Sequence, residues 1–227
     1  MNINKDFPCK STNYRKGRRD KIKYIVIHYV GATGSALNNV KYYGSSDVGA
    51  SAHYFVGHAS ENGAIYQSVA PENCAWHCGS ETGIYYHECR NDSSIGIEMC
   101  CHKASDGTWY FDDITVEKTI ELTKWLMQKY NIDAKHVIRH YDVTHKTCPA
   151  PFVNNASAWQ DFKNRLVESE DVSMLFNRIG DVPEFAQPTI KKLVDKKILN
   201  GESTGLNLTY DMLRILTIID RAGAFDK

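Results

Sequence analysis

The chain predicts an α/β fold: a mixed central β-sheet flanked by helices, followed by a small all-α C-terminal module. Short β-branched runs alternate with longer stretches of helical apolar spacing through the first 167 residues. That alternation places helices over a shared sheet. A polar, acidic run, Glu168-Ser169-Glu170-Asp171, then breaks the pattern, and the remaining chain shows helical spacing. The expected organisation is a main domain over residues 1–167, a linker over 168–177 and a helical module over 178–227.

Tyr24 to Tyr29 is the first strand, rich in β-branched residues and stopped by Gly31 and Gly34. Ala36 to Tyr43 reads as a short helix. Ala52 to Val56 and Ala64 to Val69 read as a hairpin across the turn Gly57 to Gly63. Ile95 to Cys101 suits a buried central strand. Thr115 to Tyr130 is the clearest helix, with Val116, Ile120, Thr123, Met127 and Tyr130 at helical spacing and Thr115 as its expected cap. Val137 to Arg139 is a short strand that delivers His140 at its end, and Ala156 to Val167 closes the domain as a helix. In the tail, Phe185 to Lys197 and Tyr210 to Arg221 read as helices around a turn-rich loop from Asn200 to Gly205. About fifty residues make a marginal core, so this tail is expected to pack against the main domain or a second copy of itself.

An apolar share of 42% over 227 residues supports a core and argues against a disordered chain. Formal net charge is zero, which gives no support to nucleic-acid binding. One basic cluster stands out: Lys10, Arg15, Lys16, Arg18, Arg19, Lys21 and Lys23. It reads as a solvated lead-in to the first strand, with contact to an anionic polymer as the alternative. No run is long enough to cross a bilayer, so membrane insertion is not expected. The N-terminus carries charge and no apolar h-region, which predicts a product without a signal peptide, cytoplasmic when made. The seven cysteines then read mostly as free thiols. Cys74 and Cys78 flank Trp76-His77, but their spacing makes a poor second metal site.

Two distant fragments carry the chemistry. His28 ends the first strand; His140 and Cys148 lie eight positions apart near the end of the main domain. Two imidazoles and a thiolate suit a catalytic zinc, because three protein ligands leave a fourth position open. Glu98, in an otherwise apolar strand, is the candidate general base. Alternation puts Glu98 with Gly96 and Cys100, on either a solvent face or a cleft. Lys146 is a candidate for stabilising an oxyanion. His77 reads as a substrate contact beside Trp76, or as a loop histidine stacked on it.

The segments IVIHYVG, SAHYFV, AWHCG, SSIGIEM and RHYDVTHKTCPAPF together resemble the type-2 N-acetylmuramoyl-L-alanine amidase family, shared by phage endolysins and peptidoglycan recognition proteins. The resemblance implies one zinc ion per chain on His28, His140 and Cys148, with Glu98 and Lys146 catalytic and His77 and Trp76 on the substrate side. It implies cleavage of the amide between N-acetylmuramic acid and L-alanine of peptidoglycan, and action at the cell wall after release, as an endolysin. The alternative is a non-catalytic peptidoglycan-binding module on the same fold, which typically lacks a zinc ligand. Two departures are visible: Ala52 precedes His53 where some members carry tyrosine, and Ser93 stands where many carry asparagine. The tail resembles a single S-layer-homology module, for which wall docking or self-association is expected.

Overall fold

Six short strands share one sheet because most of their isoleucines and valines require the same shelter. The computed structural model describes residues 1–79, 83–167, 175–203 and 205–226. Its strands are β1 (Ile3–Asn4), β2 (Tyr14–Arg15), β3 (Tyr24–Tyr29), β4 (Tyr54–Val56), β5 (Ile65–Gln67), β6 (Cys74–Ala75), β7 (Ser94–Met99), β8 (His102–Lys103), β9 (Trp109–Tyr110) and β10 (Val137–Arg139). The helices are α1 (Ala36–Ser45), α2 (Asp113–Tyr130), α3 (His140–Thr144), α4 (Ala150–Val153), α5 (Ala156–Val167), α6 (Gln187–Asp195) and α7 (Tyr210–Arg221). The main sheet runs β1-β5-β4-β7-β3-β10. Within this sheet only β4 and β5 pair antiparallel, as the expected hairpin; its other pairs are parallel.

The centre of the sheet is the β3–β7 pair, in register from Tyr24 with Ser94 to Tyr29 with Met99. Period-two alternation gives the pair two different faces. Ile25, Ile27, Ile95, Ile97 and Met99 lie in one apolar cluster with Leu122 and Leu126 of α2 and Phe162 and Leu166 of α5. Burying each of these leucines contributes about 1.5–3 kcal/mol. The opposite face carries Val26, which packs with Val143 of α3, and beyond it His28 and Glu98.

Several expectations are corrected in detail. The strand expected over Ile95 to Cys101 begins and ends earlier, although Cys100 and Cys101 are buried. Helix α2 starts two residues before Thr115, and Asp112 occupies the cap position. Thr115 is buried and donates its hydroxyl to the Gly57 carbonyl at 2.8 Å. The basic lead-in is not simply solvated. Arg18 donates to the carbonyls of Pro71, Asn91, Asp92 and Ser94, and Arg15 pairs with Asp92. These bonds tie the lead-in to the segment preceding β7.

The chain separates into two compact units, Met1–Leu166 and Val167–Lys227. The second unit has its own core of Phe176, Val182, Ala186, Ile190, Leu193, Leu208 and Leu213 around α6 and α7. Isolated antiparallel bridges join Phe176 to Leu208 and Glu202 to Gly205. Of the expected linker 168–177, residues 168–174 lie outside the described residues. Among the described residues no helix is long and apolar enough to cross a membrane.

Candidate metal centre

The parallel strands bring His28 to the C-terminal edge of the sheet, where β3 ends. Strand β10 runs parallel beside it and hands over directly to α3, whose first residue is His140. The turn into α3 is set locally: Asp142 accepts from the Arg139 backbone N–H at 2.8 Å and pairs with its guanidinium at 2.7 Å. Cys148 follows in the loop before α4, and its carbonyl accepts from the Tyr141 N–H at 2.8 Å.

One donor atom each from His28, His140 and Cys148 lies within 4.8 Å of the others, and all three residues are buried. It is the one such His, Cys, Asp or Glu cluster among the described residues. Cys148 Sγ stands 3.7 Å from His28 Nδ1. A nitrogen and a sulfur sharing one tetrahedral zinc, at ~2.0–2.1 Å and ~2.3 Å from it, are about 3.6 Å apart. The donor set and its spacing therefore fit zinc. Nε2 of His140 lies 3.1 Å from the Gly79 carbonyl, which can only accept. That bond leaves Nδ1 of His140 with its lone pair.

Burial dominates the electrostatics. It pushes His28 well below the ordinary imidazole range, aided by His140 and His77. It pushes His140 down to about 4, with Lys146 adding to the effect. Burial likewise holds the Cys148 thiol far above its usual value, and Glu98 reinforces it. Metal-free, the pocket is thus neutral at its donors. A metal held there would displace the thiol proton and supply the charge that favours the thiolate.

Glu98 is the register partner of His28 on the adjoining strand. It lines the same cavity as the three donors, a space of about 640 Å³ that also includes Tyr29, Tyr43, Trp76, His77 and Lys146. Its Oε2 is shielded from solvent and has no hydrogen-bond partner. Desolvation raises the carboxyl to about 8, against the pull of Lys146. Of the two faces open to Glu98 in the sequence, it thus occupies the cleft. Lys146 is exposed at the rim of the cavity.

His77 and Trp76 line the cavity as well, but they differ in what they offer to it. His77 is only 7% exposed and its ring nitrogens face protein: Nδ1 is 3.0 Å from His28 Nε2, and Nε2 is 3.3 Å from Ser94 Oγ. Its ring packs against Gly96, where a Cβ would fall 2.6 Å from it. Trp76 is half-buried, with its backbone N–H donated to Ser51 Oγ at 2.9 Å. Two contributors were missed by sequence reading. Asn91 Oδ1 accepts from the backbone N–H groups of His77 and Cys78 at 3.0 and 2.7 Å, and so holds the His77 segment. Ser94 entered the sequence reading only as part of the SSIGIEM segment. Cys74 and Cys78 are buried free thiols outside the metal cluster.

A mixed sheet with two imidazoles, one thiol and a desolvated carboxyl gathered at its strand ends defines an α/β protein built around a metal-type site. The chain belongs to the N-acetylmuramoyl-L-alanine amidase family, whose profile matches residues 18–151. It is 38% identical to the N-acetylmuramoyl-L-alanine amidase BlyA of Bacillus subtilis, over 64% of this chain and 41% of that protein. It is 34% identical to the N-acetylmuramoyl-L-alanine amidase CwlL of Bacillus licheniformis, over 64% and 41%. The chain thus spans about two fifths of the length of these curated relatives. Among solved structures it resembles the catalytic domain of XlyA, at 28% identity and a TM-score of 0.58, covering 73% of this chain and 99% of that one.

Proposed function

We propose that this chain is a zinc amidase of endolysin type. It cleaves the amide joining the lactyl group of N-acetylmuramic acid to L-alanine in peptidoglycan. The observation that carries this reading is the convergence of the His28, His140 and Cys148 donors beside the unpartnered Glu98 in one cleft. Membership of the amidase family supports it.

His28, His140 and Cys148 would hold the ion. Zinc bound there supplies a Lewis acid that polarises the scissile carbonyl and acidifies water. Glu98, beside the three donors in the same cavity, takes the proton of the attacking water and returns it to the departing alanine nitrogen. The Lys146 ammonium, at the cavity rim, offsets the negative charge that develops on the carbonyl oxygen. Trp76 offers its ring to the substrate, and His77 completes the wall behind it.

A binding module without catalysis is the alternative. The complete donor set and the desolvated acid favour the enzyme. Incubation of purified cell wall with the protein, with and without chelator, tests the choice. Release of new amino groups, with fragments of the mass expected for muramoyl–alanine cleavage, is expected only without chelator. Tight wall binding with no released amine would leave the binding module as the answer.

For the second unit we propose self-association. Its support is the exposed apolar row Met212, Ile215 and Ile218 on α7. The molar mass in solution of the full chain and of residues 1–167 tests it. Monomers in both cases would reject it.

A further inference from the structure

Three buried side chains, Ser94, His77 and His28, form a chain of contacts from the Arg90 carbonyl to the donor cluster. Ser94 Oγ donates to the Arg90 carbonyl at 2.6 Å. The same oxygen lies 3.3 Å from His77 Nε2. His77 Nδ1 lies 3.0 Å from His28 Nε2. His28 Nδ1 then faces Cys148 Sγ. Ser94, His77 and His28 are all buried, so bulk water does not rearrange the order.

The polarity of this line follows from its far end. A carbonyl can only accept, so the Ser94 hydroxyl hydrogen points to Arg90. Ser94 Oγ then has lone pairs left for His77, and His77 must donate from Nε2. A neutral imidazole carries one N–H, so His77 Nδ1 is an acceptor. It takes the hydrogen of His28 Nε2. His28 Nδ1 is left with a lone pair aimed into the donor cluster. The reverse order would set the Ser94 oxygen 2.6 Å from a carbonyl oxygen with no hydrogen between them. Cys78 Sγ, 3.3 Å from His77 Nδ1 and 3.6 Å from Ser94 Oγ, is a weak partner on either side and does not reverse the order.

We propose that Ser94 and His77 are positioning residues: a one-way hydrogen-bond relay, anchored on the Arg90 carbonyl, that locks His28 in the tautomer able to ligate metal through Nδ1. The relay rests on the metal site proposed above. It gives His28 what His140 obtains directly from the Gly79 carbonyl. Gly96 supplies the room, because any side chain there would meet the His77 ring. Asn91 fixes the backbone from which His77 projects.

The test uses the full chain and two readouts. Imidazole ¹⁵N NMR of the metal-free protein reads the tautomer of His28, and competition with a chromophoric chelator reads zinc affinity. The wild type is expected to hold His28 as the Nε2–H form. His77→Phe is expected to mix the tautomers and weaken zinc binding by about 10–100-fold, the range for lost support of a metal ligand. His77→Asn, whose carboxamide oxygen can take the place of Nδ1, is expected to recover most of that loss. Ser94→Ala is the gentler variant should His77→Phe fold poorly; it is expected to weaken zinc binding less and to free the His77 tautomer. An Nδ1–H form of His28 in the wild type overturns the relay, as does zinc affinity unchanged in both Ser94→Ala and a folded His77→Phe. A wild type that takes up no zinc would defeat the metal assignment instead, while the metal-free spectrum still decides the relay.

Discussion

At the scale of single residues, Glu98 combines two properties that rarely coincide: a carboxyl oxygen without a partner and a location beside metal-type donors. Glu98→Gln is expected to keep zinc and to lower wall hydrolysis by roughly 10²–10⁴-fold, the usual worth of general acid–base catalysis. Near wild-type turnover in the purified variant would remove Glu98 from the chemistry. The same residue predicts a pH effect in the chelated protein. Its folded carboxyl sits at about 8, raised from an ordinary 4.5, so the folded state binds its proton more tightly than the unfolded chain does. Stability therefore falls as pH rises from the unfolded value to the folded one. Metal-free Glu98→Gln should out-melt metal-free wild type at pH 8.5 and show a smaller advantage at pH 5; an equal difference at both would contradict the burial of this acid. Cys148→Ala is expected to bind zinc poorly, and full occupancy by elemental analysis would count against the thiolate as ligand. Lys146→Ala is expected to slow hydrolysis by about ten- to a thousandfold, in the range of a lost oxyanion donor. An unchanged rate would free Lys146 from that role.

At the scale of elements, close packing rather than charge sets the limits. Gly96 in β7 lets the His77 ring lie on the strand, and a Cβ there would fall 2.6–2.9 Å from three ring atoms. Gly96→Ala is expected to cost about 1–3 kcal/mol, as overpacking of a filled site does, and to weaken zinc binding by displacing the ring. Thermal melting and chelator competition read the two effects; a melt at the wild-type temperature would mean the ring has room to move. What sequence reading recovered follows the same division. Strand β3 and helices α5 and α7 were legible with their ends, because local apolar spacing alone defines them. The cluster of His28, His140 and Cys148 was legible because only a few residue types bind zinc. Helix α3 was missed, since five residues show no periodicity; its one signal was Arg139 three positions before Asp142. Asn91 and Ser94 were missed, and Arg18 was read as solvated, because their partners are distant in sequence and nothing local marks a buried serine or a half-buried arginine.

At the scale of the whole molecule, each unit contains its own apolar core. Residues 1–167 alone are expected to fold cooperatively and to match the full chain in assays of zinc binding and of soluble muramoyl-peptide cleavage. A truncated protein that is unfolded by circular dichroism would show that the first unit depends on the second. Within that unit, the isoleucines of β3 and β7 pack on α2 and α5, and their register makes His28 and Glu98 cross-strand neighbours, about 4.8 Å apart along the sheet. A slip of one position would turn the acid into the oily side and push the isoleucines toward water. No well-packed arrangement exists in which the core is right and the acid is wrong. Building the oily layer and seating the acid beside the His28, His140 and Cys148 donors are consequently one event.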